Sequence, residues 1–273
     1  MKKLLLSCLG AVFLLASCSD DDTSGTTASS SPLVSTTQQI FENGEVVETY
    51  TSQYSNGKLT KLQWMSPDND HSGHTDLVYT SNGLLASTTN YNGTVVYSKS
   101  TYEYDSQQRM TKDIYISDVE DIAYNTNFTH NANNTITAVR TGFFESSKTF
   151  YMNSDGNVYK EEGGQTIEIT YNGTTAATLS INGVPRTNYE YDAEHNPALI
   201  NINIGAGSFK ANNVLRAYGI YDSVEAAANK YIIKEITAGY IWRYVYTFNS
   251  SGLPTKKKSY YNDELRSEML YNY

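Results

Sequence analysis

One short unit recurs along the chain and constrains its fold more than any other feature. The unit is an aromatic residue, a polar turn that often holds Asn or Gly, and then an aliphatic residue. The aromatic positions are Tyr54, Tyr79, Tyr104, Phe128, Tyr151, Tyr171, Tyr191 and Phe248. They are spaced by 25, 25, 24, 23, 20, 20 and 57 residues, so a drifting period is followed by an insertion at about residues 196–240. A sustained period of this length is typical of an array of supersecondary units.

Residues around these turns alternate in polarity with a period of two, which is typical of strands. Trp242, Tyr244 and Tyr246 fall on one face of a predicted strand, and the residues between them fall on the other. Asn-Gly, a pair that favours tight hairpins, begins at Asn43, Asn56, Asn82, Asn92, Asn172 and Asn182. We therefore predict an all-β chain, an antiparallel meander of about fourteen to eighteen strands.

The insertion contains the one segment that favours a helix. Asp222 can cap a helix and Glu225 can close a capping box, and Ala226–Ala228 favour helix. We expect a short helix near residues 223–229, covering a face or an edge of the sheet.

The N-terminus reads as a signal sequence. Lys2 and Lys3 precede an apolar run over residues 4–15 that is short for a membrane span. The run ends in Leu15-Ala16-Ser17-Cys18, which resembles a bacterial lipobox and implies cleavage before Cys18 and its lipidation. The alternative is an ordinary signal peptide with an incidental cysteine. Residues 1–17 are thus predicted to be a lipoprotein signal peptide.

Residues 18–37 are rich in Ser, Thr and Asp and are predicted to be a flexible tether, with a single β-repeat domain over 38–273. The acidic cluster Asp20-Asp21-Asp22 resembles an export signal that places lipoproteins on the outer face of the outer membrane, although a solvated linker would look the same. We expect a lipid-anchored envelope protein, in the outer membrane and surface-exposed.

The charge excludes one class of partner. The formal net charge is −9, and loss of Lys2 and Lys3 with the signal peptide makes it −11. An acidic chain with scattered Lys and Arg is a poor nucleic-acid binder. We therefore expect no nucleic-acid partner.

The stretches "YEYDSQQRM" and "YEYDAEHNP", from Tyr102 and Tyr189, resemble the tyrosine–aspartate (YD, or RHS-type) repeats of bacterial surface proteins. Gly is missing after Asp105 and Asp192, and most units have another residue in place of Asp. The resemblance implies long hairpin sheets.

The C-terminal third resembles lipid-anchored proteins of unknown function with a DUF4595-like domain. The matching features are Tyr191-Asp192, Asn196-Pro197, Asn212-Asn213-Val214 and "YVYTFNSSGLPTKK" from Tyr244. The resemblance covers roughly residues 38–273 and implies a large antiparallel sheet, curved or partly closed like a barrel. It implies no activity, cofactor or catalytic residue.

Two polar clusters are candidates for chemistry. Asp68, Asp70, His71 and His74 have ligand types that a divalent metal could use, but no second cluster completes the set, and we predict no metal and no cofactor. Glu194 and His195 could supply an acid or base, but a turn between strands offers neither a partner nor a cleft. We predict no catalytic residue and no enzymatic activity.

The aromatic residues are the stronger candidates. The chain holds 24 Tyr, 8 Phe and 2 Trp, and tyrosine suits a half-exposed sheet. A stacking surface for a glycan, or a docking surface for a protein, is predicted from aligned residues, and the alternative is cross-strand pairing that only stabilises the sheet. The predicted surface comprises Trp64, Tyr79, Tyr102, Tyr104, Tyr189, Tyr191, Trp242 and Tyr244.

We therefore expect a non-enzymatic, lipid-anchored surface module that binds a glycan or a protein. The alternatives are a structural envelope lipoprotein and, less favoured, a polysaccharide hydrolase with paired carboxylates in a cleft.

Overall fold

The computed structural model describes residues 33–195, except 57, 69, 70, 155 and 174, and residues 231–273. All regular secondary structure in these residues is β, as the two-residue periodicity predicts. Within these ranges we find no helix with the length and apolarity needed to cross a bilayer.

Eighteen strands account for almost all of the described chain. They are β1 (Ser35–Glu42), β2 (Glu45–Ser55), β3 (Lys58–Met65), β4 (Ser72–Tyr79), β5 (Leu85–Asn92), β6 (Val95–Tyr104), β7 (Met110–Ser117), β8 (Ile122–His130), β9 (Thr135–Gly142), β10 (Ser146–Met152), β11 (Val158–Gly163), β12 (Gln165–Asn172), β13 (Thr175–Ile181), β14 (Val184–Tyr191), β15 (Ile232–Thr237), β16 (Tyr240–Phe248), β17 (Pro254–Tyr261) and β18 (Glu264–Asn272).

The strands form one closed antiparallel barrel. Each strand pairs with the next along the chain, and β1 pairs with both β2 and β18. The pairing of β1 with β18, which we name the seam, runs from Ser35 opposite Asn272 to Ile40 opposite Ser267. The meander is confirmed, but the curved or partly closed sheet is corrected to a full closure, which leaves no unpaired sheet edge.

The barrel has two distinct ends. The turns from even-numbered to odd-numbered strands lie at one end, which we name the corner end, and the remaining turns lie at the other, the hairpin end. Residue 33 and the flanks of segment 196–230, which are residues 195 and 231, lie at the corner end.

The two faces of the wall differ in chemistry. Fully buried side chains such as Met110, Thr126 and Phe150 lie on one face, which runs unbroken round the ring through directly opposite residues. A single-layer wall can bury side chains only on its concave side, so this is the inner face. The outer face carries ion pairs between neighbouring strands, which are Lys61–Asp76, Lys112–Glu103, Lys234–Glu190, Lys256–Glu268 and Lys258–Glu268. The pair Lys160–Glu162 lies within β11.

Four apolar clusters form a belt on the inner face. One centres on Met110 and Phe150, and another on Leu59 and Leu77. Each cluster is built from neighbouring strands, and none among the described residues joins opposite sides of the ring. Because eighteen strands enclose more space than their inward side chains fill, the described residues line a lumen and do not pack across it.

The repeated unit builds the corners. In five corners the amide of the first loop residue donates to the carbonyl four positions on, at 2.8 or 2.9 Å. These first residues are Thr80, Asp105, Asn131, Asn153 and Asn249. The fourth loop residue is left-handed, and where the expected Gly is missing Gln108 takes φ 61°. The repeat therefore encodes one loop geometry that tolerates substitutions.

The aromatic residue of the unit stabilises several corners by a hydrogen bond from its hydroxyl group. Its hydroxyl donates to the carbonyl of the aliphatic residue near the start of the preceding strand, and we name this contact the tyrosine latch. The latches of the unit are Tyr79 to Leu59 (2.6 Å), Tyr104 to Leu85 (2.9 Å), Tyr171 to Val158 (2.7 Å) and Tyr191 to Ala176 (2.5 Å). Tyr273, which follows β18 and lies outside the eight units, makes the same contact with Pro254 (2.9 Å). The aromatic residue thus joins neighbouring strands by packing and by a hydrogen bond.

The structure moves two predicted boundaries. β1 begins at Ser35 and Leu33 is buried, inside the stretch predicted as tether, because β2 and β18 pair with this polar segment. Residues 231–240 were assigned to the insertion but contain β15 and the start of β16. The predicted helix at 223–229, Cys18 and the signal peptide lie outside the described residues.

Candidate functional site

A row of large side chains crosses four strands of the inner face and is nearest to the hairpin end at Trp242 and Tyr261. Glu235 on β15 lies opposite Tyr189 on β14 and opposite Trp242 on β16, and Trp242 lies opposite Tyr261 on β17. The row exists because β14 to β17 have matched registers, and residues directly opposite one another share a face. We name these four residues, which are three aromatic side chains and Glu235, the aromatic row.

Trp242 is the centre of a stack of rings. Its ring lies 5.0 Å from that of Tyr261 and 6.5 Å from that of Tyr244, which is nearly parallel. Tyr240, at the lip of the barrel and 54% exposed, lies 5.6 Å from Tyr261. Trp242 itself is only half-buried, and its indole N–H has no hydrogen-bond partner among the described residues. The stack is a concave aromatic surface that can receive a flat, partly apolar molecule.

Charged groups flank the stack. The carboxylate of Glu235 accepts a hydrogen bond from the Tyr244 hydroxyl and another from the Thr237 hydroxyl, both at 3.3 Å. The ammonium of Lys257 lies 4.5 Å from the Tyr244 ring centroid and 5.6 Å from that of Tyr246, a cation–π arrangement. Lys257 is only 4% exposed, whereas Glu235 is half-buried.

The structure divides the predicted aromatic surface. All eight residues lie on the inner face, but they lie on different arcs of it. Tyr189, Tyr191 and Tyr244 pack in one cluster beside Trp242, whereas Tyr102 and Tyr104 lie far round the ring. The structure therefore brings together only the residues of β14 and β16.

The other predicted aromatic residues, and also Tyr191, make contacts within the barrel wall. Tyr79, Tyr104 and Tyr191 form latches, and burial raises the pKa of the Tyr102 hydroxyl. The Trp64 ring lies against Gly73, where a Cβ would come within 2.3 Å of it. A ring that covers a glycine in this way stabilises a strand pair, so Trp64 has a structural role beside any binding role.

The corner at Asp192 is a turn held by the contacts of its own side chain. Its carboxylate accepts hydrogen bonds from the amides of Glu194 and His195, at 2.7 and 3.1 Å, and lies 3.0 Å from the His195 ring. Partial burial opposes ionisation, but these contacts lower the pKa of Asp192. The His195 ring stacks on Phe248 at 3.6 Å. Both groups are engaged in holding the corner.

The histidine cluster shows no metal geometry. His74 stacks on Tyr91 at 4.2 Å, and its Nε2 lies 3.6 Å from Asp76. Asp70 lies outside the described residues, and among those described no group of three or more His, Cys, Asp and Glu could hold a metal ion.

A half-buried acid, Asp113, lies on the inner face away from the row. Asp113 on β7 lies opposite Thr126, which lies opposite Arg140. Desolvation, opposed by Arg140, raises the pKa of Asp113 to about 6. Its Oδ1 is enclosed without a partner in the described part of the chain. The Arg140 guanidinium lies 4.1 Å from the Tyr124 ring.

Sequence reasoning missed Tyr261, Glu235 and Asp113. Counting back from the corner at Asn249, where Phe248 lies opposite Pro254, would place Trp242 opposite Tyr260; the bulge beside Phe248 shifts the register by one residue and sets Trp242 opposite Tyr261. Glu235 was hidden in the assigned insertion. Asp113 has no local signal, because its burial comes from neighbouring strands.

Comparisons with solved structures return distant likenesses. A porin-like protein from Bacteroides uniformis is 14% identical over 89% of this chain and 98% of its own, with a TM-score of 0.46. Chains of the TcdB2–TccC3–Cdc42 complex and of the Photorhabdus luminescens Tc holotoxin pore are each 14% identical, with TM-scores of 0.32. These matches cover 59% of this chain and only 11% of the toxin chains. No family model and no curated protein matches the sequence.

Proposed function

We propose that this protein is a non-enzymatic binding module of the bacterial cell envelope that holds a glycan in its lumen, against the aromatic row. The observation that carries the proposal is the half-buried Trp242, stacked between aromatic neighbours on a concave face with its N–H available to a ligand acceptor. Sugar rings present flat C–H faces and many hydroxyls. A wall of rings with a few polar groups suits both.

The position of the row supports access from solution. The turns beside it, residues 182–183, 238–239 and 262–263, are two residues long. Turns this short cannot fold across the mouth of a barrel of eighteen strands. A ligand can therefore approach the row from the hairpin end.

The outer face supports an anchor that lies outside the strands. Ion pairs such as Lys112–Glu103 and Lys234–Glu190 occupy its middle, whereas a lipid-facing wall needs an apolar band. A lipid on Cys18 would hold the barrel beside a membrane. Because residue 33 lies at the corner end, the hairpin end would then face away from that membrane.

The surroundings of Glu235 support binding without turnover. Glycoside hydrolysis uses two carboxyl groups roughly 5–10 Å apart. Among the described residues, those directly opposite Glu235 are Tyr189 and Trp242, and neither is a carboxylate.

A fluorescence titration tests the proposal. Trp64→Phe leaves Trp242 as the sole indole, because the chain has 2 Trp. We expect neutral oligosaccharides of glucose, mannose or galactose to shift or quench its emission. Trp242→Ala should weaken calorimetric binding about tenfold or more, the loss of one good aromatic contact.

Tyr260→Ala is the matched control, because Tyr260 lies on the outer face beside Tyr261 and contacts Arg243. It should leave binding unchanged, whereas Tyr261→Ala should weaken it. Equal losses in the two variants, or no binding by any glycan in the panel, would contradict the proposal and favour the structural alternative.

A further inference from the structure

We infer that the hairpin end of the barrel carries a docking surface for a basic partner protein, one that presents apolar side chains together with Lys or Arg. The surface is an arc of the barrel mouth formed by three successive hairpins, β5–β6, β7–β8 and β9–β10. Six large apolar side chains stand on it, each between 48% and 61% exposed. We name them the apolar arc, and they are Val95, Val96, Ile116, Val119, Phe143 and Phe144.

The members of the apolar arc lie on adjoining strands and turns. Ile116 on β7 lies opposite Ala123 on β8, and the Phe143 amide donates to the Ala123 carbonyl at 2.9 Å. The Phe143 and Phe144 rings meet edge to face, with 4.6 Å between their centroids. Exposed apolar residues that are grouped in this way mark an interaction site, whereas scattered ones do not.

The turn at the middle of the arc is held in place. The Ser117 hydroxyl donates to the Tyr97 carbonyl at 2.7 Å and accepts a hydrogen bond from the Glu120 amide at 3.3 Å. The Tyr97 hydroxyl donates to the Glu120 carboxylate. These contacts join the turn 118–121 to the start of β6, so Val119 is presented in a fixed position. A surface that is already ordered loses little conformational entropy when a partner binds.

Acidic side chains surround the apolar arc and determine the charge of its partner. No Lys or Arg stands in the described hairpin-end turns. In the adjoining strands, Lys99 lies opposite Ile116, and Arg140 lies over the Tyr124 ring on the inner face. Four acids against these two bases leave the arc negative. The four are exposed residues of the turns 118–121 and 143–145, namely Asp118, Glu120, Asp121 and Glu145.

This charge selects one occupant from several. A second copy in a two-fold dimer would bring the same acids against the arc, and like charges oppose such an interface. An anionic lipid surface is repelled for the same reason. A basic protein gains both from apolar contact and from complementary charge, and the acids accelerate its approach.

The apolar arc lies across the barrel mouth from the aromatic row, because β8 and β16 are eight strands apart in a ring of eighteen. A partner on the arc therefore does not need to contact Trp242. Docking on the arc and glycan binding at the row are separate proposals, and the failure of one leaves the other standing.

Fluorescence anisotropy with synthetic peptides tests the inference on the full chain. The probe is a labelled amphipathic peptide of Leu and Lys, and the two comparison peptides replace every Lys with Glu or every Leu with Ser. The wild type should bind the Leu/Lys peptide about tenfold or more tightly than either comparison peptide, because only that peptide complements both the apolar side chains and the acids. Equal binding of a comparison peptide, or no binding of the Leu/Lys peptide, would overturn the inference.

Two double variants locate the apolar part of the site. Phe143→Ser with Phe144→Ser should weaken binding of the Leu/Lys peptide about tenfold or more, because large aromatic contacts dominate interfaces. Val78→Ser with Val245→Ser is the matched control, since both are exposed apolar residues on strands outside the arc. It should leave binding unchanged, and equal losses in the two double variants would overturn the inference.

Two charge reversals locate the acidic part. Glu145→Lys and Glu194→Lys change the net charge equally, but Glu145 lies in a hairpin-end turn and Glu194 lies in a turn at the corner end. Only Glu145→Lys should weaken peptide binding severalfold. Equal losses would mean a general attraction to an acidic chain and would overturn the inference. Circular dichroism checks that each variant remains folded.

The other occupants have their own measurements, made on a chain carrying Cys18→Ser because a lipid on Cys18 would bind vesicles by itself. We expect this chain to stay monomeric in sedimentation equilibrium and not to pellet with phosphatidylcholine vesicles. A dimer or vesicle binding that is lost on adding Phe143→Ser and Phe144→Ser would overturn the basic partner in favour of a second copy or a lipid surface.

Discussion

At the residue scale, Asp113 is an inner-face acid whose charge state depends on the fold. Its carboxyl is enclosed among Thr126, Tyr102 and Arg140. Desolvation raises its pKa to about 6 from an ordinary value of 3.8, although the Arg140 guanidinium opposes the rise. The folded protein therefore binds this proton more tightly than the unfolded chain does.

The raised pKa predicts a pH dependence of stability. Between about pH 4 and pH 6 the unfolded chain has released this proton and the folded chain has not, so stability falls as pH rises through this window. The loss amounts to about 3 kcal/mol, from a shift of roughly two units. Asp113→Asn removes the titrating group.

Urea unfolding at pH 4 and pH 7 measures this effect. The free energy of unfolding of Asp113→Asn, minus that of the wild type, should be larger at pH 7 than at pH 4. Asp118 is an exposed acid of the next turn, and the same difference for Asp118→Asn should not change with pH. A constant difference between wild type and Asp113→Asn across this range would mean that Asp113 is not enclosed.

At the element scale, the turns and the alternation of the strands were the parts that the sequence predicted best. Asn43, Asn56 and Asn182 have the positive φ expected of Asn-Gly hairpins, whereas Asn82, Asn92 and Asn172 leave the positive φ to the following glycine. The alternation on β16 is confirmed. The tyrosine latches were not predicted. Their acceptors are main-chain carbonyls of the neighbouring strand, and only the register of the pair brings a hydroxyl to them.

A latch contributes a measurable stability. Tyr104→Phe keeps the packing of the ring and removes the bond to Leu85, so the free energy of unfolding should fall by about 1 kcal/mol, the net value of a buried hydrogen bond. Tyr260→Phe is the control, since its ring contacts Arg243 on the outer face, and should change stability by much less. Chemical denaturation measures the free energy of unfolding of both variants. Equal losses in Tyr104→Phe and Tyr260→Phe would show that the latch does not contribute to stability.

At the scale of the whole molecule, closure decides what the aromatic residues can do. Periodicity predicted a meander of about the observed number of strands, but it could not predict the contact between its first and last strands. That contact depends on the accumulated twist and stagger of all the strands. For the same reason the sequence showed which aromatics share a face, such as Trp242 and Tyr244, but not that the face lines a lumen.

The central claim is that the eighteen strands close into a ring, and a disulfide across the seam tests it most directly. Thr37 lies opposite Leu270 on the outer face, and opposed residues of antiparallel strands have the Cα separation that a disulfide needs. In a chain carrying Cys8→Ser and Cys18→Ser, the pair Thr37→Cys and Leu270→Cys should oxidise readily to an intramolecular disulfide.

The pair Val139→Cys and Leu270→Cys is the control, because β9 lies halfway round the ring from β18 and both side chains are exposed on the outer face. Mass spectrometry of the oxidised monomer should find the seam disulfide and not the control disulfide. A seam pair that stays reduced in the folded protein, or a control pair that cross-links as fast, would contradict the closed barrel and the lumen that depends on it.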